Sequence, residues 1–218
     1  SLRSRPMKRV MIPLGQMGVK FSAAEGDMLP LTITSPTELM PIIYEPPVAS
    51  AQIKSAILLA GLAAPGETTV LEKMATRDHT ERMLEHFGAE VRIDEGSSGR
   101  KKITVVGQPE LAGCNVLVPA DISSAAFPLV AALLAPKSEI LIEAVGINPL
   151  RSGLLKTLVE MGADIIQRKK TGAIGEPVAD LTVRASRLKG VHVPAERAAS
   201  MIDEYPILAM AAAVAEGT

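Results

Sequence analysis

The chain has 218 residues, of which 47% are hydrophobic, so it holds enough apolar side chains for one large domain or two smaller ones. Aromatic residues make up only 2% and the formal net charge is −1, so there are few rings on which bases could stack and no overall positive field. No stretch approaches the roughly 20 apolar residues of a membrane-spanning helix. We therefore expect neither nucleic acid nor a membrane as a partner.

Three similar segments, each with a glycine at its centre, recur along the chain at nearly equal intervals. Each glycine follows an amphipathic run and precedes an alternating one, which is the pattern of a helix C-terminus that leads into a strand. Regular recurrence of this kind indicates a repeated structural unit. The segments are LGQMGVKF around Gly18, LEHFGAEV around Gly88 and LVEMGADI around Gly162.

Three alanine-rich runs alternate with these segments, and each predicts a largely buried helix because it is apolar on nearly every side. The first two are followed by a turn with Pro or Gly and then by a β-branched strand, whereas the third run ends where its strand should begin. The repeating unit is thus an apolar helix, a strand, an amphipathic helix and at least two strands, which indicates an α/β fold. The runs are SAILLAGLAAPGETTVLE, SAAFPLVAALLAPKSEILIE and YPILAMAAAVAEGT.

Polar residues stand at the predicted starts of the helices. Ser50, Ser123 and Asp203 precede or open the alanine-rich helices, where a side-chain oxygen can cap the free backbone amides. Arginine at a helix start is unfavourable against the helix dipole unless an anion lies nearby. Because arginines mark the starts of all three amphipathic helices, the pattern also favours a site for a small ligand with several negative charges. These arginines are Arg5, Arg77 and Arg151.

The segment TRDHTERM, residues 76–83, concentrates polar residues and invites a catalytic or metal-binding interpretation. His79 and His86 are seven residues apart, not the four that place two histidine ligands of a zinc site on one helix face, so we expect no metal site. Asp78 and Glu81 have the spacing of a capping box. The segment therefore predicts a helix start, at which Arg77 is the residue that could contact an anion.

Cys114 is the only cysteine, and it lies in LAGCNVLVPA, an apolar run typical of a strand. A single cysteine cannot form an intramolecular disulfide, which fits a reducing compartment, and we expect a cytoplasmic protein. We expect the Cys114 side chain to be buried as a small apolar group, in preference to acting as a reactive thiol.

These motifs closely resemble the enolpyruvyl transferases, specifically the 5-enolpyruvylshikimate-3-phosphate synthase family and its glyphosate-tolerant bacterial class. The resemblance implies two domains, each built from repeated βαβαββ units around an active-site cleft, and a chain that is a central fragment of the full enzyme. By this resemblance residues 1–118 belong to the first domain and residues 119–218 to the second. The matching stretches are SLRSRPM, VASAQIKSAILLAGL, TRDHTERMLEHFGA, PADISSAAFPLVAALL, NPLRSGLLKTLVEMGADI and MIDEYPILAMAAAVAEGT.

The resemblance implies transfer of the enolpyruvyl group of phosphoenolpyruvate to the 5-hydroxyl of shikimate 3-phosphate, with release of phosphate and with no metal or other cofactor. Asp203 matches the aspartate that accepts the hydroxyl proton, and its neighbour Glu204 is the competing carboxylate. The resemblance gives Arg151, Ser123 and Ser124 no role. The positions that match substrate-binding residues are Ser50, Ala51 and Gln52 for shikimate 3-phosphate, Arg5 for phosphoenolpyruvate, and Arg77 for shikimate 3-phosphate.

Two alternatives stay open at this point. The first is the related transferase that acts on UDP-N-acetylglucosamine and uses a cysteine in a flexible loop, a role that the strand-like setting of Cys114 does not favour. The second is a non-catalytic fragment that needs a complementary segment, because incomplete domains expose open sheet edges. We expect the complete enzyme to be a monomer and the isolated fragment to be inactive.

Overall fold

A computed structural model describes residues 2–96, 99–170 and 175–217, and the chain divides into two compact units, Ser1–Cys114 and Asn115–Thr218. We call them unit 1 and unit 2. They part four residues before the boundary between residues 118 and 119 that the resemblance implies. Within the described ranges, no helix combines the length and the apolar character needed to cross a membrane.

Unit 1 contains a two-stranded hairpin and a four-stranded sheet. A 3-10 turn at Leu2–Ser4 precedes the first helix. The hairpin pairs β1 with β2, and the sheet has the order β3-β4-β6-β5, in which only the pair β3 and β4 is parallel. The elements are α1 Lys8–Gln16, β1 Lys20–Ala24, β2 Met28–Thr34, β3 Ile43–Tyr44, α2 Ala51–Gly61, β4 Glu67–Glu72, α3 His79–His86, β5 Val91–Glu95 and β6 Lys101–Val106.

From β3 to β6 the element order is βαβαββ, which is the unit that the sequence predicts. Helix α2 packs on the sheet so closely that a Cβ at Gly61 would lie 2.8 Å from Cβ of Thr68 and 2.9 Å from Cγ1 of Val105. Glycine is therefore required at this contact. The core of unit 1 combines α2, α3 and the sheet, and consists of Ile53, Ile57, Leu58, Val70, Leu84, Ala89, Ile103 and Val105.

Unit 2 repeats the same arrangement. Its antiparallel sheet has the order β7-β9-β8, and Ala120 forms a parallel bridge with Val145 where the first strand of the unit would stand. A 3-10 helix at Ala195–Ser200 and another at Ile202–Glu204 lead into the last helix. The elements are α4 Ile122–Leu134, β7 Glu139–Gly146, α5 Gly153–Glu160, β8 Asp164–Lys169, β9 Val178–Arg184 and α6 Tyr205–Ala213.

The glycines that end the amphipathic helices have the backbone conformation that the repeats predict. Gly18, Gly88 and Gly162 follow α1, α3 and α5 with φ values of 98°, 94° and 95°. Glycine adopts this left-handed conformation without steric penalty, so the chain can leave each helix and enter the next strand. Residues 97–98, between β5 and β6, and residues 171–174, between β8 and β9, lie outside the described residues.

The expected burial of Cys114 is wrong. The side chain is exposed, and its Sγ lies 3.8 Å from the backbone oxygen of His86. Residues 107–119 contain no strand, and Leu117 and Val118 are also exposed. An apolar run becomes a strand only when a neighbouring backbone pairs with it, and in this segment no strand pairing occurs before the bridge at Ala120.

Candidate active site

Arg151 lies at the centre of a polar cluster in unit 2, where the starts of α4, α5 and α6 meet. Its Nη1 lies 2.8 Å from Oδ2 of Asp203, and its Nη2 donates a hydrogen bond of 2.6 Å to Oγ of Ser123. Its Nη2 also lies 3.6 Å from Oε1 of Glu204 and 3.9 Å from Oδ1 of Asp121. We call Asp121, Ser123, Arg151, Asp203 and Glu204 the arginine cluster.

The two adjacent carboxylates of the arginine cluster have opposite environments. The Glu204 side chain is 1% exposed, and its Oε1 accepts a hydrogen bond from Oγ of Ser123. Its Oε2 is buried and has no hydrogen-bond partner among the described residues. The Asp203 side chain, in contrast, is 53% exposed. Of the two, only Asp203 is open to a ligand from solvent.

Local structure holds the segment that carries Arg151. The backbone N–H of Arg151 donates to the carbonyl of Asn148 at 2.8 Å, and the Asn148 side chain accepts from the N–H of Leu150 at 2.9 Å. A Cβ at Gly153 would lie 2.3 Å from Oγ of Ser200, so glycine lets the start of α5 approach the segment before Asp203. These contacts bring Arg151 and Asp203 together although they are 52 residues apart.

Asp121 caps α4 next to this arginine. Its Oδ2 accepts hydrogen bonds from the backbone N–H and the Oγ of Ser124, at 2.9 and 2.8 Å. Burial raises the pKa of Asp121, but the hydrogen bonds from Ser124 and Ser123 and the charge of Arg151 outweigh it, so the pKa lies below its usual value. The start of α4 therefore adds a further negative charge beside Arg151.

A second polar cluster lies in unit 1 around the buried side chain of Lys54, which is 1% exposed. Its Nζ lies 2.6 Å from Oε1 of Glu81 and 3.2 Å from Oε1 of Glu72. Burial raises the pKa of Glu81, and the charge of Lys54 offsets this only in part. Oε2 of Glu81 is buried without a hydrogen-bond partner among the described residues. We call Lys54, Glu72 and Glu81 the lysine cluster.

The structure places the predicted residues Ser50, Ala51 and Gln52 at the start of α2. Oγ of Ser50 accepts from the backbone N–H of Ile53 at 3.4 Å, which is a long capping bond. Oε1 of Gln52 accepts from Nη2 of Arg9 in α1 at 3.0 Å. The predicted capping role is therefore confirmed for Ser50. It is wrong for the other two alanine-rich helices, since the N-cap residues of α4 and α6 are Asp121 and Glu204 in place of Ser123 and Asp203.

The starts of α1 and α3 lie beside the start of α2. Oγ of Ser55 in α2 and Oγ1 of Thr80 in α3 are 2.6 Å apart, and the ion pair of Lys54 with Glu81 joins the same two helices. Arg5 is exposed just before α1, and Arg77 is partly buried just before α3. Unit 1 therefore brings together the helix starts that carry all five predicted substrate-binding residues, whereas Asp203 lies in unit 2.

The predicted capping box of α3 is wrong. The Asp78 side chain makes no capping hydrogen bond, and its Oδ2 accepts from Nε of Arg82 at 2.9 Å. Glu81 turns inward to Lys54 and cannot reach back to the N-cap. The i, i+3 spacing of Asp78 and Glu81 satisfies the box only when both side chains face the helix end, and the buried lysine competes for one of them.

Sequence reasoning missed the part of Arg151, Ser123 and Glu204 in the candidate site. The sequence does contain one indication of this cluster, because Arg151 at a helix start requires a nearby anion. The sequence did not reveal which anion, because the partners come from helices far apart along the chain. Lys54 and Gln52 are polar residues in the apolar helix α2, and the structure gives each a partner.

Comparisons with known proteins agree on one family. The family model described as EPSP synthase (3-phosphoshikimate 1-carboxyvinyltransferase) matches residues 1–218. The 3-phosphoshikimate 1-carboxyvinyltransferases of Paramagnetospirillum magneticum and Methylorubrum extorquens are each 64% identical to the chain, and the match covers all of the chain and 49% of each relative. The chain thus spans about half the length of these curated relatives.

Solved structures give the same result. An EPSP synthase from Acinetobacter baumannii is 48% identical, with a TM-score of 0.88, and the match covers 100% of this chain and 48% of that one. The enolpyruvyl transferase NikO from Streptomyces tendae is 20% identical, with a TM-score of 0.71 over 99% of this chain and 51% of that one. At this low identity NikO supports only the fold. The expected α/β fold of repeated βαβαββ units is confirmed.

Proposed function

The chain belongs to the EPSP synthase (3-phosphoshikimate 1-carboxyvinyltransferase) family, and from this premise we propose what its gene product does. It transfers the enolpyruvyl group of phosphoenolpyruvate to the 5-hydroxyl of shikimate 3-phosphate and releases inorganic phosphate. The support is a family match over residues 1–218 and relatives that are 64% identical. The observation that carries the proposal is the half-exposed Asp203 carboxylate, which is paired with a buried arginine.

In the proposed reaction Asp203 accepts the proton of the 5-hydroxyl. The hydroxyl oxygen bonds to C2 of phosphoenolpyruvate, and the methylene carbon of phosphoenolpyruvate gains a proton. The product of this addition is a tetrahedral ketal. The bond from C2 to the phosphate oxygen then breaks, and the former methylene carbon loses a proton as the double bond re-forms. A carboxylate can act as a general base if it lies within hydrogen-bond reach of the hydroxyl.

The proposed substrate-binding residues lie in unit 1. The start of α2 offers the Ser50 hydroxyl, the amides near Ala51 and the Gln52 side chain to shikimate 3-phosphate, because free amides at a helix start favour an anion. Arg5 binds phosphoenolpyruvate and Arg77 contacts shikimate 3-phosphate. A guanidinium suits both tasks because its fork of N–H groups matches phosphate and carboxylate oxygens.

We also propose that residues 1–118 belong to one domain of the enzyme and residues 119–218 to another. The two compact units, which part between Cys114 and Asn115, support this division. The enzyme acts as a monomer in the cytoplasm and requires no nucleic acid, membrane or metal partner. The 218-residue chain by itself does not turn over substrate, because it spans about half the length of its curated relatives.

The test is an assay of the purified complete gene product for release of inorganic phosphate. We expect release only when phosphoenolpyruvate and shikimate 3-phosphate are both present, together with an enolpyruvyl product whose mass is that of the acceptor plus the transferred group. Phosphate release with UDP-N-acetylglucosamine and none with shikimate 3-phosphate would overturn the proposal. Assay of the 218-residue chain alone tests the inactivity of the fragment, which robust turnover would refute.

A further inference from the structure

Arg151 occupies a position that its local sequence alone would disfavour. The residue lies just before α5, where the positive end of the helix dipole repels a cation. Its side chain is only 10% exposed, so water does little to solvate the charge. Carboxylates must therefore hold it there, and Asp203 and Glu204 provide them at 2.8 and 3.6 Å.

We propose that Arg151 is a positioning residue of the transfer reaction. Arg151 holds the Asp203 carboxylate in the orientation that meets the substrate hydroxyl. It also balances the negative charge of Glu204, so that the Glu204 carboxylate can stay buried. The inference rests on the proposed function, because it gives a supporting residue to the base that this function requires.

The arrangement of the guanidinium carries the argument. Nη1 contacts Asp203, whereas Nη2 contacts Ser123 and lies near Glu204. Since the guanidinium is planar, fixing Nη2 on Ser123 and beside the buried Glu204 also fixes the direction of Nη1. The exposed Asp203 is thereby tied to the buried framework of three helix starts. Loss of this contact would remove one constraint on the Asp203 rotamer, and misplacement by about 1 Å can cost roughly 100-fold in rate.

A simpler role must be separated from positioning. Arg151 could serve only to neutralise the buried Glu204, because removing one partner of a buried ion pair leaves an uncompensated charge. Such a role would lower the amount of folded enzyme without any specific effect on proton transfer. The two roles differ in what happens when the Glu204 charge is removed together with the arginine.

The experiment therefore compares Arg151→Met, Arg151→Lys and the double variant Arg151→Met with Glu204→Gln in the complete gene product. Phosphate release gives kcat and KM for both substrates, and thermal unfolding gives the folded stability. We expect Arg151→Met to lower kcat roughly 100-fold with little change in either KM. Arg151→Lys should recover part of kcat, because an ammonium keeps the charge but lacks the fork.

The double variant decides between the two roles. We expect it to regain the unfolding midpoint that Arg151→Met loses, because no buried charge is left unpaired, while its kcat stays low. Recovery of kcat together with stability would overturn the proposal and leave Arg151 a structural role. An unchanged kcat in Arg151→Met would overturn it as well. Absence of turnover in the unmutated protein would instead refute the proposed function, so the two failures are distinguishable.

Arg197 provides a matched control in the same unit. Its side chain is also 10% exposed, and its two terminal nitrogens donate to Glu160, one of them also to Oγ1 of Thr157 at 3.0 Å. It contacts no member of the arginine cluster in any of these bonds. We expect Arg197→Lys to shift the unfolding midpoint and to leave kcat unchanged; a loss of kcat equal to that of Arg151→Lys would show that any buried arginine of unit 2 has this effect.

Discussion

The lysine cluster of unit 1 and the arginine cluster of unit 2 share a plan but differ in access. Each has one buried cation between carboxylates, placed where helices of a βαβαββ unit begin. In the lysine cluster all three side chains are buried, so their charges interact with one another and with Thr76 and are not accessible to a ligand. In the arginine cluster Asp203 faces solvent while Glu204 stays inside. The two similar units therefore contain similar clusters, and the exposed carboxylates of Asp203 and Asp121 distinguish the candidate catalytic cluster from the structural one.

The choice of cation fits this difference. An ammonium is a compact charge that suits two carboxylates in a closed pocket, as at Lys54. A guanidinium presents separate nitrogens in a rigid fork, so Arg151 can bind the inner pair of Ser123 and Glu204 and still hold Asp203 at the surface. Exchanging the two cations would therefore not be conservative in unit 2.

The largest effect that follows from this comparison concerns Asp203. Asp203→Asn in the complete gene product removes the proposed proton acceptor, so we expect kcat to fall roughly 10²- to 10⁴-fold, which is the usual contribution of general acid–base catalysis. Steady-state phosphate release measures this. Asp164→Asn is the control, because Asp164 is similarly exposed and also pairs with an arginine, Arg184, at 3.6 Å. An unchanged kcat in Asp203→Asn would remove Asp203 as the base.

The next effect concerns stability in unit 1. Lys54→Met leaves Glu72 and Glu81 buried without their cation, and breaking a buried ion pair in this way costs about 3–5 kcal/mol of the free energy of unfolding. Urea unfolding measures the loss. The exposed pair of Lys73 and Glu45 provides the control, since Lys73→Met should cost much less than Lys54→Met. Equal losses in the two variants would contradict the idea that burial gives the lysine cluster its importance.

The smallest effect is a pH dependence from Glu81. Because burial raises the folded-state pKa of Glu81 above the ordinary value of 4.5, the native protein binds this proton more tightly than the unfolded chain does. Stability from this group is fully present below the ordinary pKa and is lost as pH rises through the folded pKa. We expect Glu81→Gln to lose less stability than the unmutated protein as pH rises from 4, measured by calorimetry. A parallel decline in both proteins would contradict the shift.

Local sequence features predicted much of the fold. Gly18, Gly88 and Gly162 each end an amphipathic helix in the left-handed conformation, because only local backbone geometry is needed to set that position. Two of the three alanine-rich runs form the buried helices α2 and α4, because burial stabilises a helix that is apolar on nearly every side. The expected burial of the third run is wrong, since Ala211 is the only buried residue among the described residues of α6. The repeated order of elements along the chain was predicted from these two patterns.

Features that depend on distant partners were not predictable. Asp78 and Glu81 have the spacing of a capping box, yet Glu81 pairs with Lys54 from another helix. Cys114 lies in an apolar run, yet no strand pairs with it and the thiol is exposed. In both cases the local pattern permits the predicted structure, but whether that structure forms depends on which side chains or strands the tertiary structure places nearby.

The sequence by itself determined the repeated α/β unit, the positions of the helix starts and the family to which this chain is similar. The roles of Arg5, Ser50, Ala51, Gln52 and Arg77 in substrate binding stay predictions. Only the tertiary structure decided that Asp203 is open while Glu204 is sealed, and that Arg151 joins them. The physical reason is that helix and turn signals act within a few residues, whereas burial and ion pairing depend on side chains brought together from distant parts of the chain.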